Sequence, residues 1–206
     1  MRNETIICTG CYVSIPRTNF HLNRDNPVAQ MFWGRCEIEK ASSFSFYTRG
    51  SKMRILIHNM KYRGRKDIGI ELGKLYSTTL KSSGFYEGMD IVIPVPLHPS
   101  KLRKRGFNQS ELIATGVAQI AGLPLETSCL KRITGTGTQT RSSRFDRWIN
   151  VKGIFTVEKP YLLTGKHILL IDDVITTGST IESCANELLK IEKVRVSVIS
   201  LAAAVI

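Results

Sequence analysis

HILLIDDVITTGST, residues 167–180, sets a run of wholly apolar residues directly against two acids and a hydroxyl-rich turn. Ile168, Leu169, Leu170 and Ile171 have no polar alternation, as in a strand covered on both faces. That strand delivers Asp172 and Asp173 at its C-terminal end, the edge where ligands bind in open α/β sheets. Thr176, Thr177, Gly178, Ser179 and Thr180 then turn into a helix over residues 180–190. Gly178 lets the backbone approach a ligand closely, and the unpaired N–H groups and positive dipole of a new helix favour a phosphate. Carboxylates suit the hydroxyls of a sugar, so residues 172–180 read as a holder for a phosphorylated ribose. Ser179-Thr-Ile-Glu182 also spells a capping box, which accounts for Ser179 and Glu182 by helix stability alone. Capping does not account for two acids at the end of a buried strand, where unpaired charge is costly. A Walker A loop is excluded, because Gly165-Lys166 is followed by His167 and precedes the strand. Gly135-Thr-Gly137 lacks the third glycine of a dinucleotide fingerprint.

Outward from this stretch, residues 194–201 form a second apolar strand after the helix. Strand, helix, strand with near-continuous apolar strands predicts an open parallel α/β sheet with helices on both faces. Upstream, residues 53–60 and 68–80 carry apolar positions three and four apart, as amphipathic helices do. Residues 91–96, IVIPVP, read as a short buried strand closed by prolines that cannot continue a ladder. Residues 110–120 are helical again, with Leu112, Ile113, Val117 and Ile120 on one stripe. Residues 135–147, GTGTQTRSSRFDR, have no apolar periodicity and read as a long mobile loop. Residues 1–50, with Pro16 and Pro27 among scattered polar residues, read as a small irregular N-terminal extension packed onto a domain of residues 51–206.

The 206 residues are 42% apolar and 22% charged, with a mean hydropathy of −0.05. Such a chain builds its own globular core and is neither collagen-like, low-complexity nor a disulfide-only scaffold. MRNETIIC has no apolar core of a secretory signal, and the longest apolar run, residues 196–206, is too short to cross a bilayer. The expectation is a soluble cytoplasmic protein with no membrane contact. Of the net +12, residues 51–110 carry +8, from 12 Lys and Arg against 4 Asp and Glu. A patch of this kind attracts polyanions or serves as a solvated face. Tyr62 and Phe107 are the aromatics flanked by its basic residues, as single-stranded nucleic acid binding would want. The 5 cysteines, an odd number, argue for reduced thiols. Cys8 and Cys11 have zinc-ligand spacing, but a closed site needs four ligands, and Cys36 and His21 are the nearby candidates.

DDVITTGST after a four-residue apolar strand resembles the 5-phosphoribosyl 1-pyrophosphate (PRPP) signature of type I phosphoribosyltransferases. More narrowly, Pro94-Val95-Pro96-Leu97-His98, Arg103-Lys-Arg-Gly-Phe-Asn-Gln109, the loop from Gln139 to Arg144, Asn150 and HNMKYRG at residues 58–64 resemble the ComF family of competence-associated proteins. The resemblance covers residues 8–203. It implies a type I phosphoribosyltransferase-like fold, often named amidophosphoribosyltransferase by similarity, and a link to handling of transforming single-stranded DNA. The implied reaction is displacement of pyrophosphate from C1 of PRPP by a nitrogen nucleophile. Asp172 and Asp173 would fix the ribose hydroxyls, and Thr176, Thr177, Gly178, Ser179 and Thr180 the 5′-phosphate. Leu97, His98, Lys101, Arg103 and Arg105 would serve the pyrophosphate with Mg²⁺, while Gln139, Arg141 and Arg144 close over the site. A PRPP- or nucleotide-binding module without turnover, or a single-stranded DNA handler, remain as alternatives. The family's two CxxC pairs form a zinc ribbon, whereas here only Cys8 and Cys11 match, which puts zinc in doubt.

Overall fold

The computed structural model describes residues 6–133 and 154–204. In chain order, helices α1 (Thr9–Val13) and α2 (Pro27–Gln30) lead into strand β1 (Ala41–Phe46), then α3 (Lys52–Tyr62), α4 (Lys66–Ser82) and β2 (Ile91–Pro94). After α5 (Pro99–Arg105) and α6 (Gln109–Ala121) come β3 (Leu130–Arg132) and β4 (Phe155–Val157), which pair antiparallel. The chain continues through β5 (His167–Ile175), α7 (Ser179–Leu188) and β6 (Arg195–Ala203).

β1, β6, β5 and β2, in that order, form one parallel sheet. Ile168 lies opposite Ile91 on one side and Val196 on the other, and Ile171 opposite Pro94 and Ile199. Alternation of side chains along β5 and β6 divides their apolar residues between two cores. Leu169, Ile171, Ile199 and Leu201 pack with Met53, Met60, Leu72 and Val117 from α3, α4 and α6. Ile168, Leu170, Val196 and Val198 pack with Val28, Phe32, Ile181 and Leu188 on the opposite face. The expected α/β sheet with helices on both faces is therefore present, and the continuous apolar runs are what burial on two faces requires. Pro94 ends β2 at the sheet edge, where a missing N–H is tolerated.

β1 falls within residues 1–50, so the sheet draws on both sides of the division expected at residue 50. Its sequence, ASSFSF, has none of the β-branched residues that signal a strand. Its hydroxyls are buried, and the Oγ atoms of Ser43 and Ser200 lie 2.5 Å apart across the β1–β6 ladder. The apolar faces of α3 and α4 run over residues 52–62 and 66–82, close to the spans expected. β5 runs on through both acids to Ile175, four residues beyond the apolar run.

α4 and α6 cross with backbones nearly touching. A Cβ built on Gly73 would stand 2.3 Å from the Ile113 carbonyl oxygen, and one on Gly116 would stand 2.1 Å from that of Ile70. Neither oxygen can swing aside as a side chain does, so the helices would have to part. Gly116→Ala should lower unfolding stability by about 2 kcal/mol or more in urea titration, against less than about 0.5 kcal/mol for Gln119→Ala on the exposed face of α6. Equal stabilities would show that the helices do not approach this closely.

Candidate functional site

The two acids sit at the C-terminal edge of the parallel sheet, and other elements reach in to hold each one. The Ser110 hydroxyl, in the first turn of α6, donates to Asp172 Oδ1 at 2.9 Å, and the Asp173 N–H donates to the same oxygen at 2.8 Å. Burial, followed by the neighbouring Asp173 charge, pushes the Asp172 carboxyl up to about 7; these hydrogen bonds and the Lys61 ammonium pull the other way. Lys61, in the last turn of α3, pairs with Asp173 Oδ2 at 2.5 Å. Ser110 owes its place to Asn108, whose Nδ2 donates to the Val95 carbonyl at 3.0 Å while Oδ1 accepts from the Ser110 N–H at 3.2 Å. One buried amide thus ties the start of α6 to the end of β2, and the site to the sheet.

The turn of Thr176, Thr177, Gly178, Ser179 and Thr180 follows directly, and its Thr177 and Ser179 hydroxyls lie 3.0 Å apart. Gly178 occupies the N-cap of α7 with φ 76°, a conformation that favours glycine. A Cβ there would also stand 3.0 Å from Phe32 Cε1. The capping box does not form: Gly178 rather than Ser179 takes the cap position, and the Glu182 carboxylate pairs with Arg35. Arg35 Nη1 donates to the carbonyls of Thr177 and Met31, each at 2.9 Å. The segment after α2 therefore backs the turn. Between turn and strand lies a concavity of about 30 Å³ lined by Asp172 and residues 174–181, with Thr176, Ser179 and Thr180 exposed around it.

The residues assigned to the pyrophosphate side divide. Lys101 and Arg105, on α5, line a concavity of about 430 Å³ together with Lys61, Tyr62, Gly64, Lys104 and Phe107. Arg103 is exposed and outside that lining, and Leu97 is half-buried. His98 is the N-cap of α5; its Nδ1 accepts from the Ser100 N–H at 3.2 Å, so its turn role is met by capping. Tyr62 is exposed with the Arg105 guanidinium over its ring, whereas Phe107 is buried, which leaves Tyr62 as the accessible aromatic of that pair. Gln139, Arg141 and Arg144 lie outside the described residues.

None of the five cysteines is joined in a disulfide. Cys8 and Cys11 lie about one turn apart at α1 and interact with each other, which raises the Cys11 thiol above its ordinary value. Among the described residues, no group of three His, Cys, Asp or Glu side chains converges as a metal site would need. Ser110, Lys61 and Arg35 are site residues that the sequence reading did not single out. Lys61 falls in HNMKYRG, but no spacing relates it to Asp173.

A parallel sheet with paired acids at its C-terminal edge, followed by a glycine-hinged hydroxyl turn, defines an open α/β protein with a ligand site at the sheet edge. No family model matches the chain. Over 192 residues it is 32% identical to the DNA utilization protein YhgH of Shigella flexneri, covering 92% of this chain and 80% of that one. It is 27% identical over 211 residues to competence protein F of Haemophilus influenzae, covering 96% and 90%. The chain belongs to the ComF family, with these proteins. Its match spans 66% of the length of the Salmonella typhi YhgH, at 32% identity. Among solved structures it is similar to the glutamine PRPP amidotransferase of B. subtilis, with 21% identity, a TM-score of 0.46 and coverage of 68% of this chain and 30% of that one. It is also similar to the adenine phosphoribosyltransferase of Saccharomyces cerevisiae, with 12% identity, a TM-score of 0.42 and coverage of 70% and 71%.

Asp172 sets a pH dependence. Its raised value means that between pH 4 and 7 the folded chain keeps a proton that the unfolded chain has released, so stability falls as pH rises through that window. Asn keeps the Oδ1 acceptor and carries no charge. Asp172→Asn should therefore be more stable than the parent at pH 8 by at least about 1 kcal/mol, with the gap closing below pH 4. Thermal melting at the two pH values checks this, and an equal Tm at pH 8 would mean that the carboxylate is not held against ionisation.

Proposed function

We propose that the chain binds PRPP with Mg²⁺ along residues 172–180 and transfers its phosphoribosyl group to a nitrogen nucleophile, releasing pyrophosphate. The observation that carries this reading is the Asp172–Asp173 pair, fixed by Ser110 and Lys61 beside an exposed hydroxyl turn at the start of α7. Asp172 and Asp173 orient the ribose 2′ and 3′ hydroxyls. The N–H groups and hydroxyls of residues 176–180 hold the 5′-phosphate. Lys101 and Arg105 face the pyrophosphate across the larger concavity. Displacement at C1 develops positive charge on the ribose ring, so positioning and charge stabilisation do the catalysis, with no covalent residue needed. Mg²⁺ suits a site where two carboxylates meet a polyphosphate, and when bound it neutralises charge on the pyrophosphate. Since Lys61 already holds Asp173, most of the metal's oxygen ligands would come from the substrate.

Among the described residues, no helix is long and apolar enough to cross a membrane. Double substitution Asp172→Asn with Asp173→Asn should weaken PRPP binding at least about tenfold by calorimetry, since hydrogen bonds to charged groups contribute about 1.5–3 kcal/mol each. Gly178→Val, strained in φ and crowded by Phe32, should also lose PRPP. Unchanged affinity in both variants would overturn the reading. Screening pyrophosphate release across a panel of amines and bases separates an enzyme from a module that only binds PRPP.

A second reading takes its support from the same concavity. Lys61, Lys101, Lys104 and Arg105 surround the exposed Tyr62, a combination that suits a single-stranded nucleic acid backbone with one stacked base. The names of the YhgH and competence relatives point the same way. Single-stranded DNA affinity should fall with salt by about 0.7 log units per phosphate contact for each tenfold rise. Lys101→Ala with Lys104→Ala should flatten that slope by about 1.4. An unchanged slope, or no binding near 50 mM salt, would leave the patch to pyrophosphate alone.

A further inference from the structure

Lys61 belongs to two sites at once. Its ammonium is 2.5 Å from Asp173 Oδ2, with the two side chains 21% and 13% exposed. The same side chain lines the concavity that carries Lys101, Lys104 and Arg105. Among the described residues, none of those three cations is paired with a carboxylate. α3 is anchored beneath by the fully buried Met53, Ile57 and Met60, so the base of Lys61 is fixed while its four-carbon stem can swing. One ammonium on a flexible stem thus stands between a carboxylate that is to receive a ribose hydroxyl and a basic hollow that is to receive phosphates.

We propose that Lys61 is the residue by which the site selects a sugar carrying a 1-pyrophosphate: it leaves Asp173 for the pyrophosphate and thereby releases the carboxylate to the ribose. The proposal rests on the phosphoribose reading above. The exchange leaves neither group without a polar partner. Lys61 trades one anion for another, and Asp173 trades an ammonium for a hydroxyl donor. A ligand without the pyrophosphate, such as ribose 5-phosphate, offers Lys61 nothing in return and must compete with it for Asp173. Lys61 would therefore favour PRPP and disfavour its product-like analogue, a discrimination that Lys101 and Arg105 alone cannot supply because they do not touch the acid pair.

The test is calorimetric titration of the full chain with Mg²⁺, using PRPP and ribose 5-phosphate against the parent, Lys61→Met and Lys61→Arg, with thermal melting to establish that each variant folds. In Lys61→Met, PRPP affinity should fall about tenfold or more while ribose 5-phosphate binds as well as before or more tightly. Lys61→Arg, which keeps the charge, should recover most of the preference for PRPP. A parallel loss for both ligands would reduce Lys61 to a support for Asp173 and overturn the proposal. So would a parent that binds PRPP with no change in Lys61→Met, although that result leaves the phosphoribose reading standing. A parent that binds single-stranded DNA but neither sugar phosphate would overturn both.

Discussion

Two adjacent carboxylates lie just beyond four fully buried strand residues, and a carboxylate in such a place must be hydrogen-bonded, paired or protonated. Each acid meets this constraint differently. Asp172 accepts from the Ser110 hydroxyl and the Asp173 N–H, and burial holds its carboxyl up to about 7. Asp173 takes the Lys61 ammonium. Side by side, one acid tends to keep its proton and the other is ion-paired, which limits the repulsion between neighbours. The consequence is structural: the start of α6 and the end of α3 must converge on the same two residues of β5.

That convergence explains features remote from the acids. α6, which brings Ser110 to Asp172, lies tightly against α4, and Gly73 and Gly116 allow that contact where a Cβ would meet a carbonyl oxygen. Asn108 then sets the first turn of α6 by joining it to the Val95 carbonyl at the end of β2. The prolines that stop β2 release the chain at this point into α5, which carries Lys101 and Arg105 toward the mouth of the site. Sheet edge, helix crossing and basic concavity are consequences of one geometry. The excess positive charge of residues 51–110 is in part concentrated around Lys61, Lys101, Lys104 and Arg105, where clefts focus potential and raise the local concentration of anions.

The turn after the acids relies on the segment after α2 in a comparable way. A left-handed Gly178 at the cap provides no side chain to fix α7, and the turn is instead braced from behind by Phe32 and by Arg35, which joins the Thr177 carbonyl to the Glu182 carboxylate. Thr176, Ser179 and Thr180 are left exposed, and no side chain caps the helix. Gly178 thus serves the backbone angle and the fit against Phe32 together.

The sequence by itself determined the parallel sheet, the two helices of residues 52–82, the helix of residues 109–121 and the site's central motif. These are local signals: the continuous apolar run of residues 168–171, the 3.6-residue period of α3, α4 and α6, and the abrupt change to acids and hydroxyls at residue 172 are legible without knowing what packs against what. The ComF resemblance also stood on such local strings. Only the tertiary structure decided that β1, a serine-rich strand with no β-branched residue, completes the sheet, because its pairing with β6 is a contact across more than 150 residues, as between Ser43 and Ser200. It likewise decided that Ser110, Lys61 and Arg35 belong to the site, that His98 and Asn108 act as caps, and that Phe107 is buried while Tyr62 is not. Long-range partners leave no periodicity in a single chain, and a lysine or a serine reads the same in sequence whether it faces water or a carboxylate.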